Sequence, residues 1–207
     1  MAHYPISLDL NGKKCVVIGG GSVGERKVEM LLEFGASVTV VAPKITPALR
    51  EMATKKAVRY VPGVYTPASL QGVFLAIAAT SERGVNRAVS DECRRRGILV
   101  NVADDPDLCT FFVPAIVRRG DFVIGVSTSG RSPALAKRVR ESLESSFGPE
   151  YGELAEIMSD LRDEVKAKYE DPEERVRAFE RILGSDVLDL LAKGKRDEAV
   201  LRARKCI

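Results

Sequence analysis

The run Gly19-Gly20-Gly21-Ser22-Val23-Gly24 has the spacing G-x-G-x-x-G and stands between two segments of opposite character. Before it, residues 14–18 form a short β-branched run of the kind found in buried parallel strands. After it, apolar residues recur near helical spacing at Val23, Val28, Leu31 and Leu32, and Gly35 supplies a stop. A glycine turn joining a buried strand directly to a helix leaves few folds open. Gly19 is expected to make the tight turn, Gly21 to let backbone approach a diphosphate, and Gly24 to let helix pack on strand. The N–H groups at the helix start then face the anion. This is the setting of a dinucleotide site.

The rest of the first half repeats the alternation. Strands are predicted at 37–42, 58–61, 73–79 and 98–102, with helices at about 47–56 and 82–96. Parallel strands need helical crossovers, so the pattern predicts an α/β, Rossmann-type doubly wound parallel sheet. The pattern then changes. Residues 110–113, 115–117 and 122–127 read as strands separated by little more than Pro114 and the turn Arg119-Gly120-Asp121, as in an antiparallel extension. Ser132 and Pro133 are an N-cap followed by a proline at the first helical position, and Gly148-Pro149 ends that helix. Later segments, interrupted at Asp171-Pro172, Gly184 and Gly194, form a charged helical tail. The expected division is 1–112, 113–148 and 149–207.

Composition excludes several classes of chemistry. His3 is the single histidine in 207 residues, in what looks like a mobile terminus, so His-based triads and His-rich metal sites are set aside and acid–base work falls to carboxylates. The four cysteines, Cys15, Cys93, Cys109 and Cys206, form no C-x-x-C pair and read as reduced and mostly buried; no metal site is expected. A net charge of +3 argues against a nucleic-acid partner. The basic clusters Arg94-Arg95-Arg96, Arg118-Arg119 and Lys137-Arg138 read most simply as solvated faces and turns. The polar start, Met1-Ala2-His3-Tyr4-Pro5, lacks a signal-peptide core and no apolar run is long enough to span a bilayer, so a cytoplasmic protein with no membrane partner is expected.

Three further stretches fall where open α/β sheets hold ligands. The second strand ends in Val41-Ala42-Pro43-Lys44, which offers no acid for a ribose hydroxyl; backbone at Pro43 and Lys44 could hold it instead, and Lys44 leaves a 2′-phosphate open. Ala79-Thr80-Ser81 follows the central strand and either lines the nicotinamide side or simply caps the next helix. Asn101-Val102-Ala103-Asp104-Asp105-Pro106 puts two carboxylates at the same edge, as a proton acceptor beside the nicotinamide or as a turn. Arg26 and Lys27 sit against the dipole of the glycine-loop helix, which a nearby anion or plain solvation would offset. Ser127-Thr128-Ser129-Gly130-Arg131-Ser132-Pro133 suits a carboxylate or phosphate and equally suits ordinary capping.

Together these stretches resemble the precorrin-2 dehydrogenases, including the N-terminal module of siroheme synthase and its free-standing relatives. The likeness rests on YPISLDL, VVIGGGSVGERKVEMLL, GASVTVVAP, LAIAAT, NVADDP and FFVPAIVRRGDFVIGVSTSGRSPALAKRVRES. It implies NAD-dependent oxidation of precorrin-2 to sirohydrochlorin, toward siroheme and in some organisms cobalamin, by a homodimer paired through its antiparallel middle region and followed by a helical domain. It implies Asp104 as the catalytic residue, with Asp105 secondary, and cofactor contacts at Gly19, Gly20, Gly21, Ser22, Val23, Pro43 and Lys44; Gly24 and Thr80 complete that set. A multicarboxylate macrocycle would account for an anion-friendly stretch at Thr128, Ser129, Gly130, Arg131 and Ser132, with Asn101 and Asp105 as further substrate contacts. Some members also insert ferrous iron into the product. The methyltransferase domain of the fused synthase does not follow here, so uroporphyrinogen methylation is not expected. A competing reading from a different class is a dinucleotide-sensing module without turnover; a third is an oxidoreductase acting on a small substrate.

Overall fold

The computed structural model describes residues 3–207; Met1 and Ala2 of the polar start lie outside them. The chain divides into two compact units, one ending at Phe112 and one spanning Val113–Ile207.

In the first unit, β1 (Lys14–Ile18), β2 (Ser37–Ala42), β3 (Arg59–Pro62), β4 (Leu75–Ala78) and β5 (Leu99–Val102) form one parallel sheet in the order β3-β2-β1-β4-β5. The strands are continuous apolar runs because both faces are covered, and the period of two divides them between two cores. Val16, Ile18, Ala76, Ala78, Val100 and Val102 face one core together with Val89 and Cys93 of α3 (Arg83–Arg96). Cys15, Val17, Val38, Val40, Leu75 and Ile77 face the other, with Val28 and Leu31 of α1 (Ser22–Glu33) and Leu49 of α2 (Pro47–Thr54). Each Val, Leu or Ile side chain among these removed from water contributes about 1.5–3 kcal/mol, before the entropy of ordering the chain is subtracted.

The helices begin and end for identifiable reasons. Thr46 caps α2 by accepting from Leu49 N–H, with Pro47 at the first position. Gly97 closes α3 in the left-handed region at φ +70°, behind Arg94, Arg95 and Arg96, whose charges suit the carbonyl end of the helix.

In the second unit, β6 (Ala115–Arg119) and β7 (Phe122–Val126) pair antiparallel across a two-residue loop in which Gly120 takes φ +58°. The helix α4 (Pro133–Ser146) follows, with Ser132 accepting from Leu135 N–H as its cap. Then come α5 (Glu150–Asp160), α6 (Arg162–Lys168), α7 (Pro172–Leu183), α8 (Val187–Ala192) and α9 (Arg196–Lys205), which enclose a core of Leu154, Ile157, Leu161, Ile182, Val187 and Leu191. Among the described residues, no helix is long and apolar enough to cross a membrane.

The strand expected at 110–113 is not formed. Thr110 N–H does donate to Val100 O, but the return bond from Val100 N–H goes to the Thr110 hydroxyl, and Phe111 O is taken by the Asn101 side chain. Side chains occupy the places a backbone ladder would need, and Pro114 has no N–H with which to resume it. The cysteines are all free, as expected, but Cys15 and Cys93 alone are buried, Cys109 and Cys206 being half-buried. His3 is exposed, with its ring edge-on to Phe112 at 4.6 Å between centroids.

Candidate functional site

The strand order reverses between β1 and β4, and the loops after β1, β2, β4 and β5 all leave from the carboxyl edge of the sheet, where such folds bind ligands. Just beyond the strands these loops are tied together. Gly19 N–H donates to Val41 O, Ala79 N–H to Ile18 O, Ala103 N–H to Ala78 O and Thr46 N–H to Gly20 O.

The glycines of the first loop divide by what crowds them. Gly19 takes φ +122°, and a Cβ there would run into the Ala79 carbonyl, so glycine lets the turn pass beneath the loop that carries Thr80. A Cβ on Gly20 would meet Lys44 O, and one on Gly24 would meet Gly19 O; both are backbone obstacles. Gly21 is different: a Cβ there would meet no atom within 4 Å, and its backbone at φ −82°, ψ −176° is open to any residue. The packing of the protein therefore gives no reason for glycine at 21. A diphosphate laid across this point does. Gly21 is the N-cap of α1 and offers no side-chain cap, and the first helical bond runs from Glu25 N–H to Gly21 O. The N–H groups of Ser22, Val23 and Gly24 thus lie at the open end of the helix, where they fit a dinucleotide.

Pro43 and Lys44 are exposed and adjoin the glycine loop through Gly20, while the Tyr60 hydroxyl donates to Ala42 O at 3.1 Å and steadies the end of β2. Thr80 is gripped by Asn86, a buried residue that the sequence reading missed. The Thr80 hydroxyl donates to Asn86 Oδ1 at 2.8 Å, Asn86 Nδ2 donates to Thr80 O at 3.0 Å, and Thr80 N–H donates to Oδ1 at 3.3 Å.

Asp104 is exposed and holds φ +60°, a left-handed conformation that aspartate tolerates better than most residues but that is still held by its surroundings. The segment after it is pinned from several sides. Buried Ser90 donates to Leu108 O at 2.6 Å, and Arg94 Nη2 donates to Asp107 O and Cys109 O at 3.1 Å each. Cys109 Sγ accepts from Val102 N–H at 3.2 Å. Asp105, half-buried, precedes the 3-10 turn Pro106–Leu108. Asn101, expected as a substrate contact, is buried, and its Nδ2 donates to Phe111 O at 3.2 Å, a task inside the protein.

Lys27, on α1, is half-buried. Desolvation and then Arg26 hold its ammonium below the usual lysine range, while Cys109 and Asp104 pull the other way, so Lys27 stands within electrostatic reach of the Asp104 loop. Arg95 and Arg96 both bind Glu92, as a solvated helix face would have it, whereas Arg94 turns to the carbonyls of the Asp104 loop. That role was not visible in a run of three arginines.

Thr128–Ser132 lies in the second unit. Ser129 and Gly130 take φ +53° and +77°, Ser132 N–H donates to the Thr128 hydroxyl at 3.0 Å, and Ser132 caps α4. The Thr128 and Ser132 hydroxyls are thus engaged in the capping task weighed above, while Arg131 is exposed. Among the described residues, no group of three or more His, Cys, Asp or Glu side chains is arranged to hold a metal ion.

Comparison with known proteins covers nearly the whole chain. An NAD(P)-binding family model matches residues 6–115, a model for the central region of sirohaem biosynthesis proteins matches 119–146, and one for the sirohaem synthase dimerisation region matches 150–205. The chain is 42% identical over 203 residues to a siroheme synthase of Chromobacterium violaceum, covering 98% of this chain and 43% of that protein. It is 40% identical over 192 residues to one of Methylobacillus flagellatus, covering 91% and 41% respectively. The chain therefore spans about two-fifths of the length of these relatives. Among solved structures it is similar to SirC, a precorrin-2 dehydrogenase, with 27% identity, a TM-score of 0.78, and coverage of 98% of this chain and 100% of that one.

Proposed function

Because the chain belongs to the NAD(P)-binding family matched over residues 6–115, and continues into the sirohaem central and dimerisation regions, we propose that it oxidises precorrin-2 to sirohydrochlorin with NAD. The observation that carries this is the similarity to SirC over the full length of both chains, sheet, hairpin and helical region alike. A likeness confined to the nucleotide-binding half would fit many oxidoreductases; this one extends through the second unit.

The oxidation removes a hydride and a proton from the macrocycle, and NAD+ supplies the hydride acceptor. Gly19, Gly20, Gly21, Ser22, Val23 and Gly24 hold the diphosphate through backbone, Pro43 and Lys44 hold the adenosine ribose, and Thr80 borders the nicotinamide. Asp104 accepts or relays the proton, with Asp105 as its neighbour; as a carboxylate at the edge of the cofactor loops it is the base the chain can offer without histidine. Thr128, Ser129, Gly130, Arg131 and Ser132 receive carboxylates of the substrate. On this reading residues 1–112 bind NAD, 113–148 form the dimerisation segment with its helix, and 149–207 form the helical domain. The protein then works in the cytoplasm as a homodimer, a state supported by the match of 150–205 to a dimerisation region.

Anaerobic incubation with precorrin-2 and NAD tests the proposal. Absorbance of NADH should rise together with the sirohydrochlorin spectrum. Tight NAD binding with no NADH formed would favour the sensing module instead.

A further inference from the structure

Among the described residues, three polar side chains are counted as buried: Asn86, Ser90 and Asn101. Two of them, Asn86 and Ser90, sit one helical turn apart on α3, beside Val89 and Cys93, which are core. Arg94 continues the row one turn further. Burial of an amide and a hydroxyl is unfavourable unless each finds a partner, and here the partner of the Asn86 amide and the acceptor of the Ser90 hydroxyl both lie outside α3. Asn86 spends its side chain on the loop that precedes the helix, making three bonds to Thr80. Ser90 and Arg94 spend theirs on the loop that follows β5, at Leu108 O, Asp107 O and Cys109 O, with Arg94 Nε also reaching Ser90 Oγ at 3.4 Å. One helix thus grips two loops, at successive turns of one face.

We infer that Asn86, Ser90 and Arg94 are positioning residues, a row on α3 that fixes the Thr80 loop and the Asp104 loop in a single frame. This rests on the reading of Thr80 as bordering the cofactor and Asp104 as the proton acceptor. The helix is the rigid member. Its core face is anchored by Val89 and Cys93, both fully buried, so its polar row has a fixed place relative to β4 and β5. The loops are the members that need fixing. The Asp104 loop contains a non-glycine residue at φ +60°, which persists only where other contacts over-determine it, and the Ser90 and Arg94 bonds supply such contacts three to five residues downstream. Hydride and proton leave the substrate at different atoms, so the two acceptors must be held at a set separation. A misplacement of about 1 Å costs up to ~100-fold in rate.

The two grips are separable, which gives the test. In the free protein, hydrogen exchange is measured at Thr80 and Glu82 and at Leu108, Cys109 and Thr110; in parallel, NAD affinity is taken by calorimetry and turnover with precorrin-2 under anaerobic conditions. Ser90→Ala is expected to speed exchange at Leu108–Thr110 about tenfold or more while leaving Thr80 unchanged. It should lower kcat about tenfold or more with the NAD Kd within about twofold of wild type. Asn86→Ala is expected to do the reverse, with faster exchange at Thr80 and Glu82, a Kd for NAD raised about threefold or more, and an Asp104 loop that exchanges as before. Should Asn86→Ala not fold, Asn86→Asp keeps the acceptor for Thr80, sets a carboxylate oxygen against Thr80 O in place of the donated bond, and is read in the same way. If both variants loosen both loops and shift both constants together, α3 is ordinary core and the inference fails. Absence of turnover in the wild-type protein would refute the proposed reaction, and the exchange pattern of the free protein would still decide the grip.

Discussion

Gly21→Ala and Gly24→Ala add the same methyl group to the same loop and are expected to fail in opposite ways. At Gly21 the backbone already has a conformation that alanine adopts, and the new Cβ has no protein atom within 4 Å. The cost to the free protein is limited to the poorer N-cap, about 0.5–1 kcal/mol. For a chain of this size 1 kcal/mol is roughly 2–4 °C in Tm. The same Cβ occupies space that a diphosphate gripped by the Ser22, Val23 and Gly24 amides must approach, so NAD affinity should fall at least about tenfold, or ~1.4 kcal/mol. At Gly24 the obstacle is the Gly19 carbonyl oxygen, with Val17 Cγ1 at 3.6 Å behind it, and a carbonyl cannot swing aside as a side chain can. Relief requires α1 to lift from β1, which costs about 1–3 kcal/mol before any ligand is present. Thermal melts of the free variants followed by calorimetric titration with NAD separate the two. A Gly21→Ala protein that binds NAD with the wild-type Kd would refute the argument that the diphosphate lies on this loop.

Asp104→Ala is expected to abolish oxidation of precorrin-2 and leave NAD binding near normal; because the site has φ +60°, Asp104→Gly should give the same loss with the backbone relaxed, and a wild-type rate in either defeats the assignment. Glu92 is held down to about 2 from an ordinary 4.5, chiefly by its hydrogen bond with Arg95 and next by that with Arg96. A depressed folded value means that its contribution is complete above about pH 4.5 and lost as the pH falls toward 2. Urea melts of wild type and Glu92→Gln should therefore differ at pH 6 and converge near pH 2, and a constant difference would contradict the pairing. Burial pushes the Cys15 and Cys93 thiols up to about 11, so at pH 8 both should resist a disulfide reagent in the native protein and react on unfolding, as peptide mapping of the labelled sites would show.

The parallel sheet was legible because its strands are buried on both faces. Residues 14–18 and 37–42 are apolar almost throughout, and the structure places β1 and β2 at those bounds. The glycine loop was legible because its spacing between a strand and a helix is itself the signal, and Gly19 at φ +122° and Gly24 against Gly19 O exclude a side chain within the loop itself; the part played by Gly20 against Lys44 O was not legible, since that neighbour comes from another loop. Thr110 to Val113 misled because threonine, phenylalanine and valine favour strands, whereas the outcome was decided by a hydroxyl and an amide competing for the ladder positions.

The residues that hold the loops were the hardest to see, and the reason is general. In α3 the apolar stripe Val85, Val89 and Cys93 is sparse, and Asn86 and Ser90 beside it read as the start of a wet face. A signal was present: each stands three residues before a core position, Asn86 before Val89 and Ser90 before Cys93, which puts both on the buried side of the helix. Periodicity says that such residues are covered, but it does not say by what, and a covered polar residue is tolerable only if something arrives to bond it. Ser90 finds its acceptor 18 residues along the chain. A polar residue on the buried side of a crossover helix is thus a prediction that a loop must come to it, and in this sheet the loops that can do so are those at the carboxyl edge.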